Sequence, residues 1–188
     1  MSESVTGRYE LGDFKLQSDS VLKDAFIGFR SYGSLNESRD NVIVFPTWYT
    51  GLNNQVEPYI GPGKALDPNK YFIVIPDMFT NGSSTSPSNA QDIHKGLNFP
   101  LVTPFDNVRA QRRLLEENFG ITSVELMVGF SMSGQQAYHW AALHSDLLKR
   151  ACSICGTSKT SPHNWAMLHA YKASMETSQD WPAKSCDD

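Results

Sequence analysis

Val128-Gly129-Phe130-Ser131-Met132-Ser133-Gly134 decides how this chain is read. An apolar run over 124–128 leads into it. A segment with helical spacing, 134–144, leaves it, with Ala137, Trp140, Ala141 and His144 on one face. A serine among small residues at a strand-to-helix junction fits G-x-S-x-G, in which a sharp turn lifts the hydroxyl above a sheet at the positive end of a helix. Small neighbours are needed because the strained turn brings backbone segments close together. Here the second glycine is displaced by one, and Ser133 stands where glycine is usual. The plain alternative is a Gly/Ser loop joining a strand to a helix in any α/β protein.

Upstream, 41–46 (Asn41 followed by Val-Ile-Val-Phe-Pro) and 71–76 are short, largely apolar runs bounded by turn residues, which suits strands buried on both faces of a mostly parallel sheet. The spacing predicts a helix over 106–118, with Asp106 as N-cap, Val108, Leu114, Leu115 and Phe119 as its apolar stripe, and Gly120 as the glycine past its end. A further strand is expected over 150–155. In front, 8–14 and 21–32 read as an antiparallel hairpin turning at Gln17-Ser18-Asp19-Ser20. This alternation after a hairpin predicts an α/β fold with parallel strands.

Composition narrows the function. A chain of 188 residues accommodates one domain, or the first part of a larger one. A net charge of −4 argues against nucleic acid as the main partner, since phosphate binding needs clustered Lys and Arg. No run approaches the roughly 20 apolar residues of a membrane span, and residues 1–8 lack the apolar region of a secretory signal. Three cysteines form no closed disulfide framework, so a cytoplasmic location is expected. Cys152 and Cys155 form a C-x-x-C inside a predicted strand, where residues three apart point to opposite faces, and are read as buried structural thiols. Gly61-Pro62-Gly63-Lys64 lacks the spacing of a phosphate-binding loop. Arg109, Arg112 and Arg113 are expected on a solvated helix face, and the Ser-rich run 83–88 in a surface loop.

Several blocks occur together in a fixed order. Ile60-Gly61-Pro62-Gly63-Lys64-Ala65-Leu66-Asp67 precedes the strand at Tyr71, and a Gly/Ser loop follows at 82–88. Phe99-Pro100-Leu101-Val102-Thr103 then leads to Asp106-Asn107-Val108-Arg109-Ala110-Gln111, and the elbow follows. Through these blocks the chain, from about residue 9 to residue 180, resembles the homoserine O-acetyltransferase family of α/β-hydrolase-fold proteins. The resemblance implies that fold and puts Ser131 at the nucleophile position. It also implies two-step acyl transfer, in which the serine takes an acyl group from a donor such as acetyl-CoA and passes it to an alcohol or water. The oxyanion hole of this fold pairs the amide after the nucleophile with one from the loop after the third strand, which here are those of Met132 and Tyr49. No bound cofactor and no metal is implied. Trp48 and Tyr49 are bulky where the family has Ala and Leu, either as aromatic packing under the loop or as a reshaped pocket. With Ser133, these departures point away from homoserine and toward a hydrolase-like branch.

The family's triad acid and histidine lie beyond the matched region. Residues 1–181 are therefore expected to be the N-terminal part of a single α/β-hydrolase domain that stops before the lid and last strands, with 182–188 an unmatched tail. His139 and His144 are read as helix packing residues, His163 as a loop residue on the elbow's side of the sheet and the one candidate substitute base, and Asp77 as a turn residue. His94 and His169 have no supporting constellation. By itself the chain is expected to be catalytically incomplete, and the unpaired edge of its last strand invites a homodimer. Three readings follow: an acyltransferase, a serine ester hydrolase, or a non-catalytic product that binds a partner.

Overall fold

The computed structural model describes residues 3–177; the tail 182–188 lies outside them. A six-stranded sheet runs in the order β1-β2-β4-β3-β5-β6. β1 (Ser4–Lys15) and β2 (Val21–Tyr32) form the expected antiparallel hairpin, and β2 pairs antiparallel with β4 (Phe72–Pro76). β3 (Val42–Val44), β4, β5 (Leu126–Phe130) and β6 (Ala151–Ile154) are mutually parallel. Among the described residues no helix is long and apolar enough to cross a membrane.

The uninterrupted apolar runs are explained by period-two alternation with both faces covered. Val42, Val44, Phe72, Val74 and Met127 enter one core, closed by Val108 and Ala110 of α1 (Pro104–Arg113) and by Ala137 and Trp140 of α2 (Met132–Leu143). Ile43, Phe45, Ile73, Ile75 and Val128 enter a second core on the opposite face, covered by Val56 of a 3-10 segment, Asn53–Tyr59, and by Ile60 and Leu66.

Four local expectations are corrected. First, α1 starts before Asp106. Thr103 is the N-cap and Asp106 sits one turn in, its carboxylate accepting from the Thr103 amide (2.9 Å), the Thr103 hydroxyl (2.9 Å) and the Gln17 amide (2.7 Å). That capping box fastens the hairpin turn to the helix. Second, β5 runs two residues later than its apolar run suggests. Val124 makes only an isolated bridge to Leu148, while Gly129 and Phe130 complete the strand against β6. Third, the arginines of α1 join elements together. Arg109 donates to the Lys15 carbonyl (3.0 Å) and Arg113 to that of Leu11 (3.1 Å), while Arg112 pairs with Asp146 (2.9 Å). Fourth, Cys152 and Cys155 are exposed, because β6 is the edge strand among the described residues and the predicted burial needed cover on both faces.

The strand order places the candidate site. From β3 the chain moves to β4 on one side, then crosses back to β5 on the other. The loops leaving the carboxyl ends of β3 and β5 therefore diverge and open a crevice, the place where α/β sheets bind ligands.

Candidate active site

β5 ends at Phe130 and α2 begins at Met132, so Ser131 alone makes the junction. Its backbone has φ 55° and ψ −125°, outside every well that an L-residue prefers and costing on the order of 1–3 kcal/mol. Backbone bonds hold it there: the Ser131 N–H donates to the Ile154 carbonyl (2.9 Å), and the Gln135 N–H donates to the Ser131 carbonyl (3.1 Å). Gly129 is demanded by contact. A Cβ at that position would lie 2.6 Å from the Ser133 carbonyl carbon and 2.7 Å from its Cβ. Gly134 approaches β6 in the same way, since a Cβ there would lie 2.8 Å from Ser153 Oγ. Ser131 is exposed, and its hydroxyl makes no capping bond to the helix it starts. Met132 is the first residue of α2, where helices leave their amide hydrogens unpaired.

The departure at Ser133 has a physical account. Its side chain is fully buried, and its hydroxyl donates to the Pro46 carbonyl at 2.6 Å. One turn along, Gln136 Nε2 donates to the Thr47 carbonyl at 3.0 Å. The loop after β3 is thereby fastened to the start of α2. Neither bond was legible in the motif, although a serine in a glycine's place and a glutamine beside Ala137 on the buried face were its visible traces. Trp48, open between two readings, packs on Phe130 with ring centroids 4.3 Å apart, and Phe45 and Tyr59 complete the aromatic group. Tyr49 stands exposed on the turn 48–51, which is closed by the Gly51 N–H donating to the Trp48 carbonyl (2.8 Å).

Asp77 is more than a turn residue. It is fully buried just past β4, where Oδ1 accepts from the Asn53 amide (3.1 Å) and Asn81 Nδ2 (3.0 Å) and Oδ2 accepts from Asn53 Nδ2. It thus ties the segment after the β3 loop to the loop after β4. That second loop is also not at the surface as composition suggested. Ser84, Thr85 and Ser86 are buried, and the Ser84 and Thr85 hydroxyls accept from the Gly28 (3.0 Å) and Phe26 (2.7 Å) amides of β2. Burial pushes the Asp77 carboxyl above its ordinary value, against the opposing pull of the Asn53 and Asn81 donors. As pH rises from about 4, the unfolded chain therefore releases this proton first, and stability is lost until the folded carboxyl ionises as well. The stability advantage of the wild type over Asp77→Asn is expected to shrink as pH rises through that window. Urea unfolding at several pH values measures it, and a constant or widening difference contradicts this account.

The histidines are dispersed. His94 contacts the Val21 carbonyl (3.0 Å), and His139 lies in the third turn of α2. His144 is buried at the end of α2 against Trp140 and Arg112, where burial and the guanidinium hold its pKa below the ordinary value. His163 is exposed in the first turn of α3 (Pro162–Glu176), a helix where a loop was expected, and His169 stacks on Trp165 in the same helix. Among the described residues none of them is hydrogen-bonded to Ser131, and no cluster of His, Cys, Asp and Glu could hold a metal ion.

A family described as alpha/beta hydrolase fold matches residues 40–177. A probable esterase of Corynebacterium glutamicum is 39% identical over 177 residues, covering 92% of this chain and 51% of that protein. Ethyl acetate hydrolase of Pseudomonas veronii is 40% identical over 168 residues, covering 87% and 48%. A homoserine O-acetyltransferase of Methanosalsum zhilinae is 30% identical over 187 residues, covering 90% and 37%. Among solved structures, an acetylester hydrolase from Corynebacterium glutamicum superposes with a TM-score of 0.88 at 38% identity, over 92% of this chain and 50% of that one. The chain spans about half the length, or less, of the curated relatives it matches. The resemblance to homoserine O-acetyltransferases is thus supported at about 30% identity, while these esterases share more of the sequence.

Proposed function

This chain belongs to the alpha/beta hydrolase fold family, and from that premise we propose that it carries the nucleophile and oxyanion-binding part of a serine hydrolase site for short-chain acyl esters. The backbone of Ser131 carries this reading, because a strained serine at a strand-to-helix junction persists only where its surroundings impose it. In the proposed reaction Ser131 Oγ attacks the ester carbonyl and its proton passes to a base. The alcohol then leaves with a proton, and water releases the acid from the acyl-enzyme. The Met132 and Tyr49 amides are the proposed donors to the carbonyl oxygen as it gains charge. Water is favoured as the acceptor because the relatives named for acetyl ester hydrolysis are 38–40% identical, against 30% for the acetyltransferase. A thioester such as acetyl-CoA suits the same first step. With no described histidine bonded to Ser131, the proposed turnover of this chain alone is several orders of magnitude below that of a complete triad.

The test is intact-mass analysis of the chain after hours with p-nitrophenyl acetate or a fluorophosphonate. One acetyl or phosphonyl adduct is expected, absent from Ser131→Ala, and added homoserine is expected to leave the decay of the acetyl adduct unchanged. A folded chain that takes up neither reagent removes the nucleophile reading. Decay accelerated by homoserine restores the acetyltransferase.

A further inference from the structure

A continuous set of buried hydrogen bonds runs from the core to the loop after β3. Trp140 Nε1 donates to Gln111 Oε1 (2.8 Å), Gln111 Nε2 to Gln136 Oε1 (2.6 Å), and Gln136 Nε2 to the Thr47 carbonyl (3.0 Å). Beside it, Ser133 Oγ donates to the Pro46 carbonyl (2.6 Å). Trp140, Gln111, Gln136, Ser133 and Thr47 are all fully buried. Each glutamine is locked by using its oxygen and its nitrogen together, so neither amide can flip without losing two bonds.

We propose that Ser133 and Gln136 are positioning residues that aim the Tyr49 amide toward the N-terminus of α2. The proposal rests on the oxyanion reading above and deepens it. A trans peptide points its C=O and the following N–H in opposite directions. Ser133 fixes the Pro46 carbonyl, so the Thr47 N–H turns away from α2 and donates to the Pro76 carbonyl (3.1 Å). Gln136 fixes the Thr47 carbonyl, and the Gly51 N–H occupies the Trp48 carbonyl (2.8 Å). Three successive carbonyls, of residues 46, 47 and 48, are thus engaged. The Tyr49 N–H shares the peptide of the last of them and points opposite the carbonyl that Gly51 holds, while Ser133 and Gln136 fix the two peptides before it. Because two of those bonds come from the first turns of α2, the loop is referenced to the same helix that bears the Met132 amide. This explains a serine where the motif has glycine: glycine leaves the Pro46 carbonyl unpaired, while the hydroxyl makes one leg of the clamp.

Hydrogen exchange by mass spectrometry on the whole chain tests the clamp, with Gln136→Met and Ser133→Ala as variants and Gln111→Met as control. Both variants are expected to speed exchange at the Thr47 and Gly51 amides about tenfold, with the sheet amides unchanged. Gln111→Met loses stability but keeps the Ser133 bond and a donor on Gln136, so its loop is expected to exchange as in the wild type. In parallel, acylation of Ser131 by p-nitrophenyl acetate is expected to slow about tenfold at saturation, with its half-saturating concentration unchanged. If loop exchange in a folded variant matches the wild type, the clamp does not exist. If exchange rises while acylation is unaffected, the residues are structural only. Should Gln136→Met fail to fold, Ser133→Ala, which removes one hydroxyl, carries the test. A wild type that is not acylated overturns the nucleophile reading, while loop exchange still decides the clamp.

Discussion

Replacing Gly129 by alanine is expected to cost about 3 kcal/mol or more and to abolish any reaction at Ser131. The added Cβ would lie within 2.6 Å of the Ser133 carbonyl carbon and 2.7 Å of Ser133 Cβ. Those atoms have nowhere to go. Ser133 is fully buried in the first turn of α2, and its hydroxyl is bonded to Pro46. Relief requires α2 to move away from β5, which opens the core around Trp140 and pulls the elbow out of shape. Gly63 supplies the comparison, because it has a positive φ (77°), which Gly129 lacks, but nothing within 4 Å of an added Cβ. Gly63→Ala is expected to cost only the left-handed penalty, about 1–2 kcal/mol. Urea midpoints at constant m-value measure both, and equal losses at the two positions would refute the close-contact account.

Trp140→Ala is expected to destabilise by about 3–5 kcal/mol, the range for emptying a fully buried aromatic site. Trp140 lies in the main core between α1, α2 and the sheet, stacks edge-on with His144 (5.0 Å) and donates to Gln111. Trp140→Phe separates the two contributions. It keeps most of the ring but leaves Gln111 Oε1 buried without a partner, for which about 1–3 kcal/mol is expected. If Phe and Ala cost the same, hydrogen bonding rather than volume holds this site. If Phe costs nothing, the buried chain of amides contributes little to stability.

Much of the fold was legible because its signals are local. The runs at 42–44 and 72–76 are apolar at every residue, and only a strand covered on both faces tolerates that. Gly120 follows the π-helical turn Leu114–Asn118 that continues α1, and it has the positive φ expected of a glycine past a helix end. Less was legible where a residue's role depends on something far along the chain. Asp106 has the appearance of an N-cap, yet Thr103 and Gln17 make it a hub. The Ser-rich run 83–88 has the composition of a surface loop, but the Phe26 and Gly28 amides of β2, beyond its pairing with β4, draw it inward. Cys152 and Cys155 have the composition of a buried strand and lie at an edge instead.

Local sequence alone established the alternation of strands and helices, the antiparallel hairpin and the strand-to-helix junction at Ser131. Each of these follows from side-chain spacing and from which backbone angles a residue tolerates, and both act between near neighbours. That Ser133 and Gln136 hold the loop after β3, and that Asp77 joins that loop's end to the one after β4, emerged only in the folded chain. The partners lie 87 residues apart for Ser133 and Pro46, 89 for Gln136 and Thr47, and 24 for Asp77 and Asn53. A buried polar side chain must find a partner, but which one depends on how the sheet brings distant segments together.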